Sequence, residues 1–202
     1  MPLWLPAEPL VLASKSAARA TLLAAAGIAV EVLPADIDER GIEAKASAQD
    51  AGAAAALLAR EKARAVAALR PGRLVLGADQ TLALGTRRFS KPADRAAAEE
   101  QLRALRGKTH ALHSALAVMR DGDVLFEHAD AARLTMRSFS DKFLQQYLDA
   151  AAEAVTASVG GYQLEKPGIQ LFERVEGDYF TILGLPLVPL LDFFRREHCL
   201  AE

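Results

Sequence analysis

Residues 74–85 read LVLGADQTLALG, and this stretch indicates how the chain folds. Leu74 to Ala78 is a dense apolar run typical of a buried strand, and Thr81 to Leu84 can pair back beside it before a turn at Gly85. Asp79 lies between the two runs. Ligands gather at the carboxyl ends of strands in open α/β sheets, so this carboxylate could hold a metal ion or a water molecule. A turn residue that bonds to its own backbone is the alternative interpretation.

Helical and strand patterns alternate along the whole chain. The order β-α-β-α-β-β-α-β-β-α-β-β-α predicts an α/β fold, a mixed twisted sheet flanked by helices in one domain spanning residues 1–202. Gly27, Pro71-Gly72 and Gly107 follow predicted helices, and Asp121-Gly122 predicts a hairpin turn. The remaining strands are predicted at Leu10 to Ala13, Ala29 to Pro34, Ala111 to Met119, Val124 to Arg137, Ile169 to Val175 and Tyr179 to Leu183. The helices are predicted at Ser16 to Ala26, Ser47 to about Arg70, Asp94 to Arg106, Ser140 to about Ala152 and Leu187 to Cys199.

Composition excludes several classes of protein. Lys plus Arg total 24 against 26 Asp plus Glu, so the chain lacks the basic excess of a protein that binds polymeric nucleic acid. The most apolar stretch, Tyr179 to Leu191, is too short and too rich in proline to cross a bilayer as a helix. The single cysteine, Cys199, allows no disulfide within the chain, and we expect a cytoplasmic protein.

The first candidate site is an anion site at Ser14-Lys15-Ser16 with Arg19. These residues follow a short buried strand and begin a helix, where exposed N–H groups, two hydroxyls and two cationic side chains can hold a phosphate. An ordinary serine N-cap with solvated Lys15 and Arg19 is the alternative.

The second set of candidates is acidic and basic. Asp36, Asp38 and Glu39 lie in an acidic loop, Asp36 to Glu43, that could complete an oxygen site for Mg²⁺ with Asp79 and substrate phosphates, or could simply be solvated. Lys62 lies on the long helix, and Lys91 precedes a proline just before the next helix, where it could reach a phosphate.

Histidine and cysteine offer no comparable signal. His110 and His113 are three positions apart in a predicted strand, so they should point to opposite faces and cannot share a metal. His198 and Cys199 are adjacent near the end of a helix, which aims them apart, so we do not assign a nucleophile there.

Seven segments of the chain together form a recognisable set of motifs. They are residues 12–16 with Arg19, residues 60–63, Gly77 to Gln80, Lys91-Pro92, Gly160 to Tyr162, Phe172 to Gly177 and Gly184 to Leu187. These motifs resemble the Maf family of nucleoside triphosphate pyrophosphatases over nearly the whole chain. The resemblance implies a mixed α/β fold with two lobes around a cleft, a divalent metal (Mg²⁺ or Mn²⁺), hydrolysis of a nucleoside triphosphate to the monophosphate and pyrophosphate, and a homodimer.

The resemblance also assigns roles to residues. It implies that Asp79 is the catalytic carboxylate and that Glu39 is its acidic partner, both of them able to bind the metal. It places Ser14, Arg19, Lys62 and Lys91 around the phosphates of the substrate. Lys15 and Ser16 of the candidate anion site complete the predicted phosphate-binding set.

This chain departs from the family pattern in two places, one in the phosphate-binding segment and one among the residues that select the base. The family's Ser-x-Ser-Pro-Arg-Arg pattern lacks its proline and one arginine here, and Lys15 could compensate. Gln80 and Glu165 are similar to the residues at these positions in the branch of the family that acts on 7-methyl-GTP. Ala18, in contrast, stands where that branch has an aromatic residue. The alternatives are the same enzyme acting on dTTP or UTP, and a nucleotide-binding regulator of cell division with little turnover.

Overall fold

A computed structural model describes residues 2–45 and 50–201 of the chain. The described part alternates helices and strands, with two short 3₁₀ helices at Val159–Gly161 and Pro167–Leu171. The strands are β1 (Leu10–Leu12), β2 (Val30–Val32), β3 (Val75–Leu84), β4 (Arg87–Phe89), β5 (Thr109–Arg120), β6 (Asp123–Met136) and β7 (Phe172–Glu176). The α-helices are α1 (Ala17–Ala25), α2 (Glu39–Lys45), α3 (Ala51–Ala67), α4 (Arg95–Leu105), α5 (Asp141–Ala151), α6 (Ala154–Ala157), α7 (Tyr179–Ile182) and α8 (Leu187–Arg196).

The strands form one mixed sheet of seven strands, as the sequence predicted. Its order is β2-β1-β3-β5-β6-β7, with β4 also paired to β3. β1 pairs in parallel with β2 and β3, and the other pairs are antiparallel.

One side of β3 is only partly covered by neighbouring strands. β5 pairs with residues 75–83 of β3 on one side. On the other side, β1 pairs with residues 75 and 76, and β4 pairs with residues 82–84. Within the described part of the chain, residues 77–81 have no strand partner on that side. We call this opening the β3 gap, and Asp79 lies at its centre.

Helix α3 lies very close to one face of the sheet. Its buried positions include Ala55, Ala59 and Ala63, whose small side chains allow a short distance between helix and strand. Gly77 of β3 allows the same approach, because a Cβ atom there would lie 2.0 Å from the carbonyl oxygen of Ala59. The alanine-rich composition of α3 therefore allows the short distance between this helix and β3.

The opposite face of the sheet carries two larger apolar clusters. In the first, Leu12 and Leu76 pack with Leu23 of α1 and Phe194 of α8. In the second, the C-terminal ends of β3 and β6 and the N-terminal part of β5 pack against α4 and α5. Leu82 and the fully buried Leu102 are among its members. The β3 gap lies between these two clusters along the strand.

Several predicted boundaries are confirmed. Gly27 follows α1 with a φ of 76°, a conformation that glycine adopts without strain. Asp121 and Gly122 form the turn between β5 and β6, both with positive φ. Ser140 caps α5, where its hydroxyl oxygen accepts a hydrogen bond from the Phe143 N–H.

Two predictions in the first half of the chain were wrong. β3 continues through Asp79 instead of folding back, because β5 pairs with it on both sides of that residue. The acidic loop contains the start of α2, where Asp38 Oδ1 accepts a bond from the Gly41 N–H at 3.0 Å. The predicted cap at Ser47 lies outside the described residues, and α3 is capped by Asp50.

The predicted final hairpin was also wrong. β7 pairs with β6, with Arg133 opposite Glu176, and the second predicted strand is the single helical turn α7. Asp178 starts this turn, since its side chain accepts a bond from the Thr181 N–H at 2.7 Å. The segment around Ile169 is 3₁₀-helical instead of extended.

None of the helices in residues 2–45 and 50–201 combines the length and apolar character that a bilayer-crossing helix requires.

Candidate active site

The ammonium group of Lys62 joins two carboxylates at the β3 gap. Its Nζ atom lies 2.6 Å from Asp79 Oδ1 and 2.8 Å from Glu39 Oε1. Asp79 comes from β3, Lys62 from the buried side of α3, and Glu39 from the first turn of α2. The side chains of Asp79 and Lys62 are 12% and 11% exposed, whereas that of Glu39 is 51% exposed. The cluster is therefore buried at Asp79 and open to solvent at Glu39.

The surroundings of Asp79 favour its protonated form more than water does. Burial raises the pKa of the Asp79 carboxyl, and the positive charges of Lys62 and Arg19 offset only part of that effect. Glu39 adds a smaller contribution that also raises the pKa. A carboxylate with a raised pKa is a stronger proton acceptor, which is the property that a general base requires.

Arg19 holds three segments of the chain together beside Asp79. Its Nε donates to the carbonyl oxygen of Gly184 at 2.8 Å, and its Nη1 donates to Ser14 Oγ and to the carbonyl oxygen of Ala78, both at 2.9 Å. Within residues 2–45 and 50–201, three of its five N–H groups are bonded to the protein, and the two on Nη2 are available to another acceptor. Desolvation lowers the pKa of this buried guanidinium, although it stays charged because arginine does not lose its proton in proteins.

The residues of the predicted anion site at the start of α1 have different roles. Ser14 is buried, and its oxygen accepts from Arg19 and, at 3.3 Å, from the Ser16 N–H. Ser16 is the N-cap of α1, which agrees with the alternative interpretation of this serine. Lys15 is exposed. Ser14 and Arg19 thus belong to the interior of the site, and Lys15 lies on the protein surface.

Lys91 shares the electrostatic environment of this cluster. Partial desolvation lowers the pKa of its ammonium group, and the charges of Arg19 and Lys62 lower it further, while Glu39 and Asp79 oppose that effect. Its side chain is exposed, on the segment between β4 and α4. The charges of Arg19, Lys62, Asp79 and Glu39 therefore all influence the ammonium group of Lys91.

The three residues predicted to select the base lie in different places. Gln80 follows Asp79 on β3, and its side chain points to the opposite face of the sheet, toward α7. Ala18 is half-buried on α1. Glu165 is exposed in a turn, and no hydrogen bond or ion pair within the described ranges joins it to the Asp79 cluster. Its neighbours Gln163 and Lys166 line a cavity of about 390 Å³ at the end of α5, which none of the Asp79 cluster lines.

Three residues near the gap had no assigned role in the sequence analysis. Gly184 supplies the carbonyl that Arg19 binds, and it belongs to one of the segments that carry the family resemblance. Ser114 of β5 and Thr181 of α7 are buried and hydrogen-bonded to Gln80. No sequence pattern indicates these two, because a single small hydroxyl residue in an apolar strand or turn has no distinctive spacing.

The histidines occupy opposite faces of β5, as predicted. His110 is buried with its Nε2 2.7 Å from the Tyr162 hydroxyl, and His113 faces α3 near Gly52. Across residues 2–45 and 50–201, no three His, Cys, Asp or Glu side chains are grouped closely enough to hold a metal ion by themselves.

The fold and the site together define an α/β protein in which acidic and basic groups meet at a break in the sheet. The chain belongs to the Maf family, since the family model described as Maf-like protein matches residues 9–197. It is 56% identical to a nucleoside triphosphate pyrophosphatase of Rhodopseudomonas palustris and 58% identical to one of Bradyrhizobium diazoefficiens, over the full length of both chains in each case. It is 49% identical to a 7-methyl-GTP pyrophosphatase of Brucella abortus, over 95% of this chain and 97% of that protein.

Proposed function

We propose that this chain is a nucleoside triphosphate pyrophosphatase, which converts a nucleoside triphosphate to the monophosphate and pyrophosphate. The observation that carries the proposal is the placement of Asp79, a buried carboxylate with a raised pKa beside Lys62 and Arg19 in an opening of the sheet. The names of the relatives from Rhodopseudomonas palustris and Bradyrhizobium diazoefficiens support the same activity.

The cationic groups around the gap suit a chain of phosphates. Lys62 and Lys91 supply point charges, and Arg19 has two N–H groups on Nη2 that the protein does not bind in its described part. The Ser14 oxygen accepts two hydrogen bonds, which leaves its own proton for a phosphate oxygen. Exposed Lys15 adds positive charge on the surface of the same segment.

Asp79 is the proposed general base. One of its oxygens is bonded to Lys62, and the other can accept a proton from a water molecule. The water oxygen then forms a bond to the α-phosphorus, and the bond from that phosphorus to the bridging oxygen breaks. Pyrophosphate leaves with the electron pair, and the proton of the water remains on Asp79. The nearby cations stabilise the negative charge that develops on the phosphate oxygens.

The carboxylates of this site fit a divalent metal that binds together with the substrate. Asp79 and Glu39 converge on one nitrogen of Lys62, so their oxygens lie near each other. Mg²⁺ is ordinarily held by one or two carboxylates together with substrate phosphates and water. We therefore propose that Asp79 and Glu39 hold Mg²⁺ or Mn²⁺, which when bound offsets the charge of the phosphates.

The proposed substrate has a guanine-type base, with 7-methyl-GTP as the leading candidate. The relative from Brucella abortus is named for that substrate. The carboxylate of Glu165 can accept hydrogen bonds from the N1–H and 2-amino groups of guanine, and its charge favours a cationic methylated base. Because Glu165 is exposed in a turn, this contact requires the base to lie on the surface side of the site.

We also propose a homodimer, which the family resemblance implies. In the part of the chain that the structure describes, β7 pairs only with the end of β6, at residues 133–136. Val124 and Leu125 at the start of β6 are 43% and 40% exposed. This part of β6 is a candidate contact surface for a second copy. Size-exclusion chromatography with light scattering measures the mass in solution, and a monomer at micromolar concentration would refute the proposal.

The experiment that tests the activity is pyrophosphate release by the purified protein. The substrates are 7-methyl-GTP, GTP, ITP, UTP, dTTP and CTP, each with Mg²⁺, with Mn²⁺ and with EDTA. Asp79→Asn keeps the shape of the side chain and removes the base, and Asp192→Asn on the exposed side of α8 is the matched control. We expect release by the wild type and by Asp192→Asn, and none by Asp79→Asn or with EDTA.

Two results would contradict the proposal. Undiminished turnover by Asp79→Asn would refute the assigned base. No pyrophosphate from any nucleotide, with binding intact by calorimetry, would favour a nucleotide-binding regulator with little turnover.

A further inference from the structure

Three alternate residues of β3 face helix α3. Gly77, Asp79 and Thr81 point to the same side of the sheet, because side chains alternate along a strand. Gly77 lies against the backbone of Ala59, and Asp79 is bonded to Lys62, so the first two residues of the row are in contact with α3. The proposed mechanism uses Asp79 and gives Thr81 no role.

Thr81 makes a buried hydrogen bond to the first turn of α3. Its hydroxyl donates to the carbonyl oxygen of Ala51 at 2.7 Å, and the whole residue is only 9% exposed. Ala51 is the first residue of α3 and is also buried. A hydrogen bond in a buried place is electrostatically stronger than one in water, and it restricts both the distance and the direction between its two atoms. The bond therefore ties the start of α3 to one position on β3.

The apolar packing between α3 and β3 restricts the helix less along its own axis. The face of α3 toward the sheet carries Ala55, Ala59 and Ala63, whose single methyl groups form shallow ridges. Such a face lets the helix lie close to the sheet, but it resists sliding less than interlocking large side chains do. A directional bond, as from Thr81, supplies the restriction that these alanines lack.

Lys62 tolerates little movement of α3 along its axis. It lies about three turns beyond Ala51, and a helix carries an axial shift along its length as a rigid element. Its Nζ atom is 2.6 Å from Asp79 and 2.8 Å from Glu39, and its side chain is 11% exposed, which leaves it little room to follow a displaced target. Because hydrogen bonds of this type extend to about 3.2 Å, a shift of about 1 Å breaks at least one of the two contacts.

We propose that Thr81 is a positioning residue, which fixes α3 along β3 and thereby places the Lys62 ammonium group on Asp79 and Glu39. Gly77 allows the short separation between helix and strand, and Thr81 determines their axial alignment. The two contacts lie on either side of Asp79 in the strand. This inference rests on the proposed function, because it concerns how the same site is held in its active geometry.

Thr81→Val tests this role, because valine keeps the shape of threonine and lacks the donor. Pyrophosphate release is measured at a temperature at which near-UV circular dichroism shows every variant to be folded. We expect kcat of Thr81→Val to fall at least about tenfold, since a displacement of about 1 Å can cost about 100-fold in rate. Thr81→Ser keeps the hydroxyl, so its kcat should stay within about threefold of the wild type, less than the value of one net hydrogen bond.

The matched control is Thr156→Val. The Thr156 hydroxyl donates to the carbonyl oxygen of Glu153 at 3.1 Å, so this variant loses the same kind of bond in α6, outside the Asp79 cluster. It should keep the kcat of the wild type, whatever its effect on the melting temperature.

A crystal structure of Thr81→Val gives a second measurement, which does not depend on activity. We expect α3 to be displaced along its axis, and the distance from Lys62 Nζ to Asp79 Oδ1 to increase from 2.6 Å to more than about 3.2 Å. If Thr81→Val does not fold, Thr81→Ala replaces it in both measurements, because it also lacks the donor and its smaller side chain cannot clash with α3.

The inference is overturned if Thr81→Val lowers only the melting temperature, or if the distance from Lys62 to Asp79 is unchanged in its crystal structure. It is also overturned if Thr81→Ser loses as much kcat as Thr81→Val, because the hydroxyl would then not be the determinant. Failure of the proposed function looks different, since the wild type itself would release no pyrophosphate. In that case the crystal structure alone decides, and an unchanged distance in Thr81→Val overturns the inference.

Discussion

Gly77 of β3 and Ala59 of α3 lie so close that the backbone of the strand contacts the backbone of the helix. A Cβ atom on Gly77 would lie 2.0 Å from the Ala59 carbonyl oxygen and 2.6 Å from the Ala63 nitrogen. Lys62 lies between Ala59 and Ala63 on the helix, and its side chain reaches Asp79. The distance between strand and helix therefore determines whether this ion pair can form.

We predict that Gly77→Ala moves α3 away from β3 and reduces activity. Because the nearest atoms are backbone, the helix must shift as a whole, at a cost of about 1–3 kcal/mol in the free energy of unfolding. Because the shift of α3 also moves Lys62 away from Asp79, kcat should fall by more than the loss of folded protein alone would explain. Chemical denaturation and initial rates measure both effects. Gly52→Ala in the first turn of α3 is the control and should change stability by less than about 1 kcal/mol.

Arg19→Lys tests whether Arg19 positions the chain or only supplies charge. Lysine keeps the charge but cannot bond simultaneously to Ser14 Oγ and the carbonyls of Ala78 and Gly184. We expect Arg19→Lys to lose nearly as much kcat/KM as Arg19→Met, and both to unfold at lower temperature. Wild-type rates in Arg19→Lys would show that charge alone is sufficient.

The acid limb of the pH–rate profile should respond to the neighbours of Asp79 with opposite signs. The base must be deprotonated to act, so a raised pKa moves the acid limb to higher pH. Lys62 lowers the pKa of Asp79 and Glu39 raises it. Lys62→Met should therefore move the limb to higher pH, and Glu39→Gln should move it to lower pH. Profiles of kcat/KM from about pH 4 to 8 measure both shifts, and two shifts in the same direction would contradict Asp79 as the titrating group.

His110 should make the fold less stable in mild acid. Burial lowers its pKa to about 4, while its Nδ1 atom is buried without a partner within the described residues. The unfolded chain binds a proton near pH 6.5 and the native chain does not, so stability is full above that pH and falls as the pH drops toward 4. The loss reaches about 3 kcal/mol. Urea titrations of the wild type and of His110→Gln across this range test the expectation, and equal pH dependence in the two proteins would contradict it.

The sequence predicted best what is encoded locally. Gly27 and Ser140 mark the end and the start of helices through their own conformation or hydrogen bonds, independently of the rest of the fold. α7 was missed because one helical turn has no periodicity, and its start depends on the side chain of Asp178. The polar pair Asp79 and Gln80 concealed the continuity of β3, since only its pairing with β5 shows that the strand continues.

The candidate site was predicted in outline, and its connections were not. The family motifs indicated Asp79, Lys62 and Arg19 separately. The bonds from Arg19 to the carbonyls of Ala78 and Gly184 are contacts between residues far apart in the sequence. No spacing rule gives such contacts, because they depend on how β1, β3 and the loop before α8 are arranged in space.

The β3 gap has a consequence for how the site meets its ligand. Binding residues are often on loops, whose ordering on binding costs conformational entropy. Here Asp79 is part of a strand that is paired with β5 along 75–83, so its backbone is already ordered when the protein has folded. The preorganisation needed for catalysis comes from the sheet itself. Within residues 2–45 and 50–201, Glu39 of α2 is the partly exposed member of the Asp79 cluster, and its side chain is the one that a ligand would order.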